Sequence, residues 1–200
     1  MQHVRDYRQE LDARPCPAGL ANLEWEHRKN KLAFAFVDNL LDHQNPVTHL
    51  ADDRQARIVA DAFLHFAGVR YTLFAYVVMP SHHHWLFQPI ESWAIEAVKK
   101  SRKDDNRQRT PREIISQSIQ SYTATMCNRV CGVTGTFWQD ETYDHWVRND
   151  DEFYGIIRYI EDNPVKAELV TDPAAWKWSS AHHRLTTNTK LGEPLLPTVG

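Results

Sequence analysis

Two histidines one residue apart, His82 and His84, stand in the run His82-His83-His84-Trp85-Leu86-Phe87, directly after Met79-Pro80-Ser81. In a strand, side chains alternate between faces, so His82 and His84 share one face and His83 takes the other. Two neutral imidazoles on one face can meet a single metal ion. The apolar neighbours Leu86 and Phe87 make unpartnered imidazoles costly to bury there. Downstream, Phe153, Ile156, Ile157 and Ile160 recur at helical spacing and define an apolar stripe. Tyr159 lies about a quarter-turn off that stripe, and Asn163 falls on the same side one turn later. A phenol beside an amide carbonyl, at the edge of a helix–sheet interface, could complete a site above the histidine strand. Solvent-facing turn histidines, and a boundary tyrosine whose hydroxyl meets water, are the plainer alternatives.

The rest of the chain must supply the frame. Its 200 residues are 42% hydrophobic and 24% charged, enough for one domain with a real core and against global disorder. The formal net charge of −3 argues against a generally basic nucleic-acid binder, but not against a local basic groove. The three cysteines, Cys16, Cys127 and Cys131, form no CxxC pair and no even framework, which fits a reducing compartment. No apolar run approaches membrane-spanning length and the first residues lack a signal-peptide core, so a cytoplasmic protein with no membrane partner is expected.

Residues 1–24 are polar, with Pro15, Pro17 and Gly19, and read as an arm; residues 25–185 read as the domain and 186–200 as a tail. The alternation over Leu32–Val37 predicts a strand. Ile58, Ala62, Phe63 and Phe66 predict a helix over 54–67, with an Asp cap before it and Gly68 after it. Residues 70–88 predict two strands joined by a tight turn. Thr110-Pro111-Arg112-Glu113 is a capping box, and the helix it opens carries Ile115, Ile119, Tyr122, Met126 and Val130 on one stripe. Asn149 and Glu152 open another helix, which Pro164 ends near Asn163. Strands interleaved with helices predict an α+β fold. The basic stretch 99–112 holds Lys99, Lys100, Arg102, Lys103, Arg107, Arg109 and Arg112, and reads as a phosphate-contacting loop, or else as a solvated linker. Lys166, just past the tyrosine helix, is a further phosphate candidate. Trp85 and Trp138 are candidates for stacking on unpaired bases, against the default of core tryptophans.

Four segments, in order, resemble one known family. Met79-Pro80-Ser81-His82-His83-His84 resembles the Met-Pro-Asn-His-hydrophobic-His signature of the single-tyrosine HUH transposases. The run from Phe137-Trp138 to His145 resembles their Trp-Gln segment. Tyr159-Ile160-Glu161-Asp162-Asn163-Pro164-Val165-Lys166-Ala167 resembles their Tyr-Ile-x-x-Asn-Pro-Val-(Lys/Arg)-Ala block. Trp176-Lys177-Trp178-Ser179-Ser180 resembles the closing Trp-Pro-(Trp/Phe)-Ser-Ser. The combination is similar to the branch of REP-associated tyrosine transposases, which act at repetitive extragenic palindromes. His83 stands where an apolar residue is usual, Ser81 where Asn is usual, and Glu168 where a small residue is usual.

The resemblance implies a ferredoxin-like antiparallel sheet with helices packed on one face. It implies Tyr159 as nucleophile, and His82, His84 and Asn163 as ligands of a divalent metal, Mg²⁺ or Mn²⁺. It implies cleavage and transfer of single-stranded or hairpin DNA through a 5′-phosphotyrosine. His83 is expected to point away from the metal. Monomer and homodimer both stay open, and with them whether Tyr159 serves its own histidines or a partner's. Two other readings compete: a non-catalytic DNA-hairpin-binding protein on the same fold, and a hydrolytic metalloenzyme in which Tyr159 is structural.

Overall fold

A computed structural model describes residues 2–43, 47–105, 109–138 and 146–197. The chain divides into two compact units, Met1–Val47 and Thr48–Gly200.

The first unit holds helices α1 (Gln2–Ala13) and α2 (Asn22–His43). The stretch expected as a polar arm is thus largely helical, and the strand expected over 32–37 is part of α2. The alternation there runs for only six residues. A helical repeat runs longer through the same segment: Trp25, Lys29 and Ala33 are four apart and all buried. Phe36, one turn beyond Ala33, stacks on Tyr7 of α1 with ring centroids 4.1 Å apart. The Trp25 indole donates to the Arg14 carbonyl at 3.3 Å.

The second unit is built on an antiparallel pair, β1 (Tyr71–Val78) and β2 (His83–Pro89), preceded by α3 (Asp53–His65). After the pair come α4 (Glu91–Asp105), α5 (Pro111–Cys131), α6 (Asp150–Glu161), the single turn α7 (Asn163–Lys166) and α8 (Ser180–Thr187). This is an α+β arrangement. Among the described residues the sheet has two strands, and helices cover both of its faces rather than the one expected.

A bulge in β1 between Leu73 and Ala75 sets which residues face which side. Before it, Tyr71 and Leu73 join the cluster with Phe63 of α3 and with Ile115 and Ile119 of α5; after it, Tyr76 and Val78 do. Ala75, Val77 and Met79 turn the other way, against Ile157 and Ile160 of α6. The strand alternates between two cores, and the extra residue flips its parity, so odd positions before the bulge and even positions after it share one face. The outer edge of β1 is also occupied. Val78 N–H donates to the Trp178 carbonyl at 2.9 Å, the Trp176 indole donates to the Val78 carbonyl at 2.9 Å, and Leu195 N–H donates to the Leu73 carbonyl at 2.8 Å. Leu195 is fully buried, so part of the expected tail belongs to the core.

Local signals set the helix ends. Asp52 caps α3 by accepting from Arg54 N–H at 2.9 Å. Thr110 and Glu113 form the reciprocal box at the start of α5, and Gly132 closes it at φ 65°. Asn149 caps α6 by accepting from Glu152 N–H at 2.8 Å. The buried stripe of α5 is Ile115, Ile119, Thr123 and Cys127. Tyr122, placed on that stripe from the sequence, is exposed. Thr123 can be buried because its hydroxyl donates back to the Ile119 carbonyl at 2.8 Å.

Candidate functional site

β2 alternates as its sequence requires. His83, Trp85 and Phe87 face the α3–α5 side, where His83 lies 5.3 Å from the Phe63 ring and 4.8 Å from Trp138, centroid to centroid. His84 and Leu86 face the α6 side. His82, in the turn before β2, is buried and joins His84: their Nε2 atoms are 3.1 Å apart. Ser81 Oγ sits 2.9 Å from His82 Nδ1 and so fixes that ring. The turn is closed by Met79 N–H donating to the His82 carbonyl at 2.8 Å.

Tyr159 comes to the same place from α6, whose stripe of Phe153, Ile156, Ile157 and Ile160 packs on β1 as the spacing predicts. Its ring stands edge-on to His84, with centroids 6.0 Å apart and planes at 71°. Lys166, exposed at the end of α7, holds its ammonium 4.2 Å from the centre of the Tyr159 ring. Asn163 opens α7 one turn beyond Tyr159 and is 1% exposed, with its side-chain oxygen sealed from solvent.

His83 is separated from this group by the sheet, as expected. Burial, with smaller contributions from His84 and His82, pushes its imidazole down to about 3, so it stays neutral.

The donor set bears on a metal. Two imidazole nitrogens each ~2.1 Å from one ion and at right angles to it are ~3.0 Å apart. The separation of His82 and His84 therefore suits a shared ion. With Nε2 turned inward, His82 Nδ1–H would donate to Ser81 Oγ, the outer contact that orients a metal-binding histidine. Among the described residues no group of three His, Cys, Asp or Glu side chains is arranged around one point.

The other sequence candidates lie elsewhere. Lys99, Lys100, Arg102 and Lys103 are on the last turns of α4, not on a loop, because helical geometry persists to Asp105. Lys99 pairs with Glu96 at 2.8 Å. Arg109 precedes the α5 cap and donates to Gln117 Oε1 at 2.5 Å, while Arg112 lies in the first turn of α5. Arg107 and the segment 139–145 lie outside the described residues, as do the side chains of Arg102 and Lys103. Trp85 stacks between Phe63 and Phe87, at 4.8 and 3.9 Å. The Trp138 indole donates to the Gln120 carbonyl at 3.1 Å and to Thr123 Oγ1 at 3.0 Å. Both rings are partly buried and pack against the α3–α5 core.

Residues that sequence reading missed hold the tyrosine helix in place. Glu161, two residues past Tyr159, is buried and accepts from Arg184 Nε at 2.9 Å and Ser180 Oγ at 2.6 Å. Arg184 also donates to the Phe74 carbonyl at the β1 bulge, and to the carbonyls of Lys190 (2.6 Å) and Glu193 (3.2 Å). One guanidinium thus joins α6, α8, β1 and the C-terminal segment. A Ser-Ser pair four residues before an arginine was the only trace of this in the sequence. No family model, curated protein or solved structure matches this chain.

Proposed function

We propose that this chain is a metal-dependent DNA transesterase of the single-tyrosine HUH kind, acting on single-stranded or hairpin DNA. The observation that carries the reading is the meeting of four side chains from β2 and its turn, α6 and α7: His82 and His84, with Nε2 atoms 3.1 Å apart, the Tyr159 ring against His84, and the Lys166 ammonium over that ring. Core packing requires neither two convergent imidazoles nor a lysine over a tyrosine. In this reading the antiparallel pair and its covered edge are the centre of a ferredoxin-like fold, and the molecule belongs with the REP-associated branch its four motifs resemble.

Tyr159 Oη attacks a backbone phosphorus in line with the P–O3′ bond. A phosphotyrosine ester forms as that bond breaks. The phenol loses its proton, the departing 3′ oxygen gains one, and no oxidant or reductant is consumed. Attack of a 3′-hydroxyl on the ester reverses the step and joins strands, so the transfer divides into two related halves. His82, His84 and Asn163 would hold the divalent ion, Mg²⁺ or Mn²⁺, which when bound neutralises non-bridging phosphate oxygens and orders the in-line geometry. Lys166 adds a second positive charge beside the nucleophile. Ser81 keeps the His82 ring oriented, and α6 fixes Tyr159 against the histidines.

The test is incubation with end-labelled hairpin DNA and Mn²⁺, followed by denaturing electrophoresis. A covalent protein–DNA adduct is expected from the natural sequence. Tyr159→Phe should lose the adduct and keep DNA binding. His82→Ala with His84→Ala should lose the adduct and Mn²⁺ binding together. Binding without cleavage by the natural sequence selects the non-catalytic reading. Cleavage that survives Tyr159→Phe selects the hydrolytic one.

A further inference from the structure

A cleft lies at the opposite end of the strand pair. Arg70 precedes β1, and Val77 is the residue opposite His84. Seven positions of strand separate them, roughly 20 Å. Beside Arg70, α4 and α5 bound a cleft of about 460 Å³ lined by Arg70, Trp93, Glu96, Lys100, Arg109 and Ile114. That size lies within the ~300–1,000 Å³ of small-molecule sites.

The lining has a consistent chemistry. Three of its residues are cations and one is a carboxylate, and that carboxylate, Glu96, is engaged by Lys99 at 2.8 Å. Two of the cations are held rather than trailing in solvent. Arg70 lies on the Phe66 ring, 3.3 Å from its centre, and reaches Ser118 Oγ at 3.4 Å; Arg109 is fixed by Gln117. Pre-ordered guanidiniums suit a phosphate, because their planar donors match its oxygens. Trp93 and Ile114 add an apolar wall, and an indole beside a phosphate-binding cluster suits a base.

We propose that this cleft binds a nucleotide unit of single-stranded DNA, its phosphate between Arg70, Lys100 and Arg109 and its base against Trp93. The cleft thereby anchors the strand at a point remote from the tyrosine. This rests on the single-strand reading of function, and deepens it by naming where the strand is gripped.

The experiment uses the full chain and two probes: a fluorescent single-stranded oligonucleotide followed by anisotropy over a salt series, and thymidine 5′-monophosphate followed by calorimetry. Lys100→Glu and Arg109→Glu, singly and together, are compared with Arg129→Glu, an exposed reversal elsewhere on α5, and with Trp93→Ala. Circular dichroism confirms folding of each. The double reversal should weaken oligonucleotide binding at least ten-fold. It should also reduce the salt slope by about 0.7, since the cleft holds one phosphate and each single-strand phosphate that is neutralised adds about 0.7 to that slope. Trp93→Ala should weaken binding without changing the slope, and Arg129→Glu should stay within two-fold. If the oligonucleotide binds and the folded double reversal leaves affinity and slope unchanged, the cleft is overturned while the DNA reading stands. If the mononucleotide binds through these residues and the oligonucleotide does not bind at all, the DNA reading fails and the phosphate site stands. Binding of neither probe overturns both.

Discussion

Glu161 and Arg184 form a buried ion pair, Nε to Oε1 2.9 Å, with side chains 10% and 8% exposed, two residues from the tyrosine at the candidate site. Taking two charges out of water is costly, and removing one partner leaves the other charged and uncompensated. Arg184→Met strands the Glu161 carboxylate and also leaves carbonyls of Phe74, Lys190 and Glu193 without their donor. A loss of about 3–5 kcal/mol is expected from urea unfolding. Glu161→Gln with Arg184→Met should cost less than the sum of the two single changes, which a double-mutant cycle measures. Additive losses would mean that the two side chains act independently.

How much of this was legible beforehand follows from what each signal depends on. The alternation of His82, His83 and His84 between faces, and the α6 stripe that sets Tyr159 at its edge, follow from periods of two and 3.6 within one element. So do the caps at Thr110 and Asn149. What failed depends on other elements. The Leu32–Val37 alternation was too short to outweigh the helical repeat of Trp25, Lys29 and Ala33. The bulge between Leu73 and Ala75, which flips the parity of β1, has no marker in an unbroken apolar run. Thr123 and Cys127 took the buried stripe of α5 from Tyr122, since small side chains fit close beneath α3. Arg184 reaches the Phe74 carbonyl across more than a hundred positions, and only tertiary structure reveals such a contact.

Lys166 separates a charge beside the nucleophile from an ordinary surface lysine. Its ammonium lies over the Tyr159 ring at 4.2 Å, while the side chain is exposed, so its loss should leave stability within about 0.5 kcal/mol. Under the proposed function, Lys166→Met should slow adduct formation about 100- to 1,000-fold at saturating DNA, the scale of removing one charge-stabilising group. Lys166→Arg should recover most of that rate. Unchanged single-turnover rates in Lys166→Met would remove Lys166 from the chemistry.

The acid sensitivity of the fold should run through His183. The ring is buried on α8, and burial holds it below the ordinary histidine value despite its hydrogen bond to the Leu196 backbone. The sign is fixed by which state takes the proton first. In the unfolded chain this histidine titrates near ~6.5, so as pH falls below that value the unfolded state gains a proton that the native state refuses. Stability from this group is complete above ~6.5 and is lost as pH falls toward the depressed native value. His83, pushed down to about 3, acts in the same direction and is retained when His183 is changed. His183→Gln keeps an N–H donor for the Leu196 carbonyl and cannot titrate. The urea midpoint of the natural sequence should therefore drop more between pH 7.5 and 5.5 than that of His183→Gln. Parallel curves for the two proteins would show that His183 contributes nothing to the acid loss.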